Sequence, residues 1–237
     1  MKVYDCTLYH DEDLILELRF NILSKFIDKF VICESKFSHS GREKKLNFDI
    51  KKFPEFKKKI IYLVSTDEPS GLIFDKNSIE KKELPENFRH NAVRRIAHQR
   101  NKLFDGLGEA NEDDFILYSD NDEIPNLDHF NFKNFNKKYV MFEQKLFYYK
   151  FNLFLDKIFW YGTKGCRKKY LNTFEKLRQI KPKVYPFYRA DTFFKFNKQI
   201  SLDIVKEGGW HFTRLQTPED IHSKELDAEH HDEYRAS

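Results

Sequence analysis

The run Phe115-Ile116-Leu117-Tyr118-Ser119 ends abruptly in Asp120-Asn121-Asp122-Glu123-Ile124-Pro125, placing three carboxylates within four positions directly after an apolar stretch. So short a run reads as a buried strand, and acids at its C-terminal end lie where open α/β sheets keep their ligand crevices. Asp120 and Asp122 share a face if the strand continues, and on a tight turn both still reach one ion. Mg²⁺ or Mn²⁺ in such sites takes one or two carboxylates and fills its other positions with water and phosphate oxygens. The spacing therefore points towards a bound diphosphate. Three acids after a strand also describe a solvated turn, and the motif alone leaves both readings open.

A chain of 237 residues holds one large domain with an adequate core. Lys plus Arg number 42 against 38 Asp plus Glu, a net charge of only +4, so the charges are dense but mixed in sign. A dedicated nucleic-acid protein would gather a basic excess on one face, and no nucleic-acid partner is expected. Aromatics at 16%, with 25 Phe, supply enough apolar surface to exclude disorder. Cys6, Cys33 and Cys166 are odd in number and widely spaced, which predicts reduced, mostly buried thiols with neither a zinc site nor a disulfide framework. No apolar run approaches ~18 residues and Met1-Lys2-Val3-Tyr4-Asp5 lacks a signal-peptide core, so the expectation is a complete, cytoplasmic chain. The stretch Lys164 to Lys169, with Arg167 and Lys168, reads as a solvated charged loop or as a peripheral contact with anionic lipid or acidic glycan.

The opening reads β-α-β: a strand over Val3 to Leu8, helical spacing at Leu14, Leu18, Ile22, Leu23, Phe26 and Ile27, then a strand at Phe30 to Cys33. The polar segment Glu34 to Lys44 follows as a loop that either touches a ligand or is simply solvated. Ile60 to Val64 is a third strand, and Asp67 to Pro85 a long loop. Asn87 to Phe104 is helical, with Ala92, Ile96, Leu103 and Phe104 facing a core, and it stops near Gly106 and Gly108. Arg94, Arg95, His98, Gln99, Arg100 and Asn101 are polar positions of that helix, able to reach a phosphate if it lines the crevice. Tyr139 to Phe142 and Lys145 to Lys150 predict two further strands. The aromatic stretch Phe151 to Tyr161 suits a core or sugar stacking. Val184 to Arg189 reads as extended, Gly208 to Thr213 as a last strand, and Thr217-Pro218-Glu219-Asp220 as a helix start. The tail Glu229 to Tyr234 is polar and expected to be exposed.

Several separated segments then fall into one order: Tyr4-Asp5-Cys6 with Glu12 and Glu17-Leu18-Arg19, Phe30 to Ser35 with Ser40-Gly41, Gln99-Arg100-Asn101, Ser119 to Pro125, Gly209 to Thr213, and His231-x-Glu233-Tyr234. That order resembles glycosyltransferase family 17, of the β-1,4-mannosyl-glycoprotein β-1,4-N-acetylglucosaminyltransferase type, over nearly the whole chain. Asn121 and Thr213 depart from the pattern, which favours a small apolar or acidic residue and a Ser there.

The resemblance implies an α/β fold, a GT-A-like, Rossmann-type mixed sheet flanked by helices in a single domain over 1–237, with 1–125 as the nucleotide-sugar-binding half and 126–237 as the acceptor-side half and tail. It implies a nucleotide-sugar donor, UDP-GlcNAc before others, a glycan or glycoconjugate acceptor, and Mn²⁺ or Mg²⁺ at the Asp-x-Asp motif. In that reading Asp122, Asp120 and His211 hold the metal. Asp5, Glu34, Arg95, Gln99, Arg100, Asn101 and Asp120 are the donor-binding candidates. An inverting transfer needs a carboxylate base, for which Glu123, Glu143, Asp191 and Glu207 are candidates that spacing does not separate. His211 also suits a buried structural role beside Trp210. Competing readings are a nucleotidyltransferase using the same acids, disfavoured by the lack of a glycine-rich phosphate loop, a noncatalytic glycan-binding or scaffold protein, and more distantly a two-metal nuclease.

Overall fold

The computed structural model describes residues 1–75 and 83–225. The elements in chain order are β1 (Val3–Tyr9), α1 (Asp13–Leu23), β2 (Lys29–Ser35), β3 (Ile60–Ser65), α2 (Pro85–Lys102), β4 (Phe115–Ser119), β5 (Glu123–Pro125), β6 (Tyr139–Tyr148), β7 (Phe154–Arg167), α3 (Phe174–Arg178), β8 (Leu202–Val205), β9 (Gly209–Thr213) and α4 (Pro218–Glu225). They form a mixed α/β domain around one nine-stranded sheet of order β3-β2-β1-β4-β7-β6-β9-β5, with β8 also paired to β6.

β3, β2, β1 and β4 are mutually parallel. The sheet then turns antiparallel at β7 and again at β6. β8 and β9 follow one another along the same edge of β6, both parallel to it. The strands in the middle of the parallel half are buried on both faces, which is why they read as apolar runs. Alternate residues separate cleanly: Val3, Phe30, Ile32, Phe115 and Leu117 pack into one core with Phe20 of α1, and Tyr4, Val31, Cys33, Ile116 and Tyr118 into the other with Leu103 and Phe174. All three cysteines are free and buried, and burial pushes the thiols of Cys33 and Cys166 up to about 12.

The two strands expected at Tyr139 to Phe142 and Lys145 to Lys150 are one strand, β6, whose pairing with β7 shifts register between Met141 and Glu143. The aromatic stretch supplies the connecting turn and the first half of β7. Val184 to Arg189 is no strand, holding only a single bridge from Val184 to Gln199. Short β5 and β8 carry no periodic signal of their own. Thr217 caps α4, its Oγ1 accepting from Asp220 N at 3.2 Å. The boundary drawn at 125 runs through the sheet, because β4 pairs with β7 and β5 with β9.

The basic stretch 164–169 is engaged rather than presented. Buried Lys164 donates to the carbonyls of Arg178 and Ile180, Arg167 to the carbonyl of Asp113, Lys168 to that of Ala110, and Lys169 to the Asp113 carboxylate. Among the described residues no helix is long and apolar enough to cross a membrane. The middle of the 67–85 loop and the tail motif His231-x-Glu233-Tyr234 lie outside the described residues.

Candidate active site

From β1 the chain steps outward to β2 and β3, then returns to β4 on the other side of β1. Loops leaving the C-terminal ends of β1 and β4 therefore diverge, and a crevice opens between them. A cleft of about 280 Å³ occupies that position. His10 and Glu12 line it from the loop after β1, Ser38, His39 and Lys44 from the loop after β2, and Gln99 from α2. The acidic turn 120–123 forms its inner wall, and Trp160 and His211 reach it from the antiparallel half.

The acids of the turn have different surroundings. Glu123 is fully buried, accepting from Asp120 N at 3.0 Å, Trp160 Nε1 at 2.6 Å and Arg178 at 3.0 Å. The same Arg178 donates to Asp120 at 2.7 Å, so one planar guanidinium bridges both carboxylates. Arg100 stands 3.8 Å from Asp120, and the Tyr118 hydroxyl donates to it at 3.0 Å. Burial opposes ionisation of Asp120, but Arg178, Arg100 and Tyr118 outweigh it and hold the carboxyl well below the usual carboxylate range. Asp120 is thus an ionised, arginine-paired acid of the cleft wall, its side chain 33% exposed.

Asp122, on the same cleft, has a different partner. Its Oδ2 lies 3.3 Å from His211 Nε2, and its side chain is about a third exposed, at 31%. Burial lowers the His211 pKa, but the hydrogen bond and charge of Asp122, with Glu123 and Asp120 behind it, raise it overall. The Trp160 ring lies 4.7 Å from the His211 ring, holding it in place. Asn121 Oδ1 and His211 Nδ1 are buried polar atoms without a hydrogen-bond partner among the described residues.

Among the described residues no group of three His, Cys, Asp or Glu side chains is arranged to hold a metal. Adjacent ligands of an octahedral ion at ~2.1 Å sit ~3 Å apart, close to the observed separation of Asp122 and His211. The pair fits two corners of an ion whose other positions are filled by water and ligand oxygens.

With that geometry in view, the sequence comparison decides the family: residues 1–182 match the model for glycosyltransferase family 17. The chain belongs to glycosyltransferase family 17. It is accordingly a glycosyltransferase, an enzyme that takes a sugar from a donor and passes it to an acceptor glycan. No curated protein matches the chain. Among solved structures, HddC from Yersinia pseudotuberculosis aligns over 94% of this chain and 98% of its own at 9% identity and a TM-score of 0.40, a likeness that carries no argument.

In this glycosyltransferase the residues singled out from sequence fall into two groups. Asp120, Asp122, Glu123, Gln99 and His211 line the cleft. The others do not. Asp5 is fully buried against Arg19 at 2.5 Å. Glu34 is fully buried, accepting from Lys44 at 2.5 Å, Asn47 N, Phe48 N and the Tyr62 hydroxyl. Arg95 is taken up by Glu68 and Glu83, and Arg100 by Glu175 and Tyr118. Asn101 accepts from Glu175 N at 3.4 Å, and even Gln99 gives its amide to Cys33 O. These charges and amides knit strands to helices through the internal partners named, and of them Gln99 alone also lines the cleft.

Of the four carboxylates considered as base, only Glu123 borders the cleft, and its oxygens are occupied by the three donors above. Glu143 binds the Tyr161 hydroxyl and Lys206, Asp191 pairs with Arg189 and Lys198, and exposed Glu207 lines a different depression with Asn126 and Asn134.

Sequence reasoning missed His10, Lys44 and Trp160 as individuals. The loop reading of Glu34 to Lys44 was the available signal for Ser38, His39 and Lys44. His39 is pushed down to about 4, by burial first and by Arg100 second, so it is a neutral imidazole at neutral pH.

Proposed function

We propose that this family 17 enzyme is a metal-dependent, inverting glycosyltransferase of GT-A-like design that moves GlcNAc from UDP-GlcNAc to a glycan hydroxyl. The observation that carries the reading is the Asp122–His211 pair, 3.3 Å apart on the wall of a strand-end cleft. Those two residues would hold Mn²⁺ or Mg²⁺, which when bound supplies positive charge to the departing diphosphate.

The rest of the work falls to the chain itself. Arg178 and Arg100 both contact Asp120, so of the two aspartates in the turn Asp122 is the one paired with a histidine rather than an arginine. Lys44, whose ammonium pairs with buried Glu34, brings N–H donors to the cleft wall. Trp160 closes the inner side and keeps His211 and Glu123 in register. Asn121 Oδ1 offers an acceptor that an N–H of the base or of an acetamido group can satisfy.

The test is a thermal-shift series with UDP, GDP, CMP and dTDP, each with and without Mn²⁺, followed by UDP release from UDP-GlcNAc. A rise with UDP that requires Mn²⁺, and release of UDP from UDP-GlcNAc, is the expected result. A rise with another nucleotide would change the donor. Absence of any shift at millimolar nucleotide would sink the donor-site reading.

A further inference from the structure

A second cavity, a groove of about 890 Å³, runs from the acidic turn along β9 towards the start of α4. It shares Glu12 and Asp122 with the cleft, so the two cavities meet at one wall. Its floor is aromatic: Tyr149 and Phe151 are about half exposed, at 50% and 48%, and the Phe151 ring lies 5.2 Å from that of Phe212. Flat faces left in water beside polar rims suit the C–H faces of sugar rings. Its backbone is strained in the same place, with Tyr149 at φ 62° and Arg214 at φ 58°, left-handed conformations that non-glycine residues hold where surrounding structure enforces them. Tyr149 N donates to Thr213 O at 3.1 Å, joining the two strained corners.

The lining has more acids than bases, with Asp11, Glu12, Asp13, Asp122 and Asp220 against Lys150 and Arg214, Asp13 being paired to Lys52 and Asp122 to His211. Such a wall disfavours a carboxylated or phosphorylated sugar. Of the two carboxylates common to both cavities, Asp122 is committed to His211. Glu12 is held by the backbone: its Oε2 accepts from His10 N at 3.2 Å and from Asp11 N at 3.3 Å.

We propose that this groove binds the acceptor as an uncharged or amino-sugar glycan stacked on Tyr149 and Phe151, and that Glu12 is the general base. The inference rests on the donor reading above. In the step, the acceptor oxygen attacks the anomeric carbon of the nucleotide sugar, the bond to the diphosphate breaks with its electron pair leaving on the diphosphate, and the acceptor proton passes to the Glu12 carboxylate and then to solvent.

The full chain, loaded with UDP and Mn²⁺, is applied to a glycan array carrying matched neutral, amino-sugar, uronic-acid and sialic-acid oligosaccharides. Expected is binding to neutral or amino-sugar glycans, weakened at least about tenfold by Tyr149→Ala with Phe151→Ala while the UDP-dependent thermal shift is unchanged. Phe151→Ala alone carries the same test if the pair lowers stability. With a bound glycan as acceptor, Glu12→Gln should lower kcat about 100-fold or more, keep both KM values within about twofold, and remove the acidic limb of the kcat/KM profile.

Binding of no neutral glycan, preference for acidic ones, or wild-type binding by the aromatic variants would overturn the groove. A Glu12→Gln kcat within about threefold of wild type would overturn the base. The UDP shift and slow UDP release to water read the cleft alone, so their loss in the wild type marks failure of the donor reading, and their presence without glycan binding marks failure of the groove.

Discussion

Asp122 Oδ2 and His211 Nε2 stand 3.3 Å apart because β5 and β9 pair antiparallel with Glu123 opposite His211. Phe212 N donates to Asp122 O at 2.9 Å and extends that pairing by one residue. The acid and the imidazole, far apart in the chain, are thereby fixed by backbone hydrogen bonds. Neighbouring Asp120 instead accepts from Arg178 at 2.7 Å.

Asp122→Ala is expected to abolish Mn²⁺-dependent UDP binding while lowering stability by less than about 1 kcal/mol, because the lost contact is a partly exposed ion pair. Calorimetric titration of UDP with and without Mn²⁺, beside a urea melt, measures both. His211→Ala should lose the same metal dependence. Retained transfer by Asp122→Ala would remove that residue from the site.

Arg178→Met leaves Asp120 and buried Glu123 facing each other without their shared cation. Breaking a buried pair from one side costs about 3–5 kcal/mol, and urea denaturation should show a loss of that order. Arg178→Lys should rescue little of it, since a single ammonium lacks the planar fork that spans both acids. A loss under about 1 kcal/mol would mean that the bridge is not a structural tie.

Gly209 sits at φ +130°, and a Cβ there would come within 2.2 Å of Ile124 O. Gly209→Ala must therefore distort the β5–β9 pairing, at a cost of about 1–3 kcal/mol. Since His211 lies two residues on, the UDP thermal shift should fall with it. An Ala variant with wild-type melting and nucleotide response would contradict the register argument.

Lys164 is pushed down to about 7 from 10.5, by burial first and by Arg178 second. Between those values the unfolded chain holds a proton that the folded one lacks, so this residue's contribution to stability rises with pH across about 7 to 10.5 and is flat below. Denaturant midpoints at pH 7, 8 and 9 should climb more steeply for the wild type than for Lys164→Met. Equal slopes would place the Lys164 pKa near its ordinary value.

The parallel half of the sheet was legible before any coordinates. β1, β2 and β4 are largely enclosed and edge strand β3 is partly buried, so their residues form apolar runs bounded by charge, and α2 carries its core residues at helical spacing. The antiparallel half was not. β6 and β7 were cut wrongly because half of β7 is exposed yet aromatic, and β5 and β8 exist only through partners elsewhere in the chain. Among site residues, Asp122 and Asp5 show the limit most clearly. Both are aspartates beside apolar strands, but one borders a cleft and the other is sealed against Arg19.

By itself the sequence determined the β-α-β opening, the position of the acidic turn after a buried strand and, over residues 1–182, membership of family 17. These are local patterns and linear spacings. Only the tertiary structure decided which acid meets arginines and which meets a histidine, because Arg178, Arg100 and His211 are brought in from distant elements of the fold. A carboxylate's charge state follows from its partners, and these are not written in its own neighbourhood of the chain.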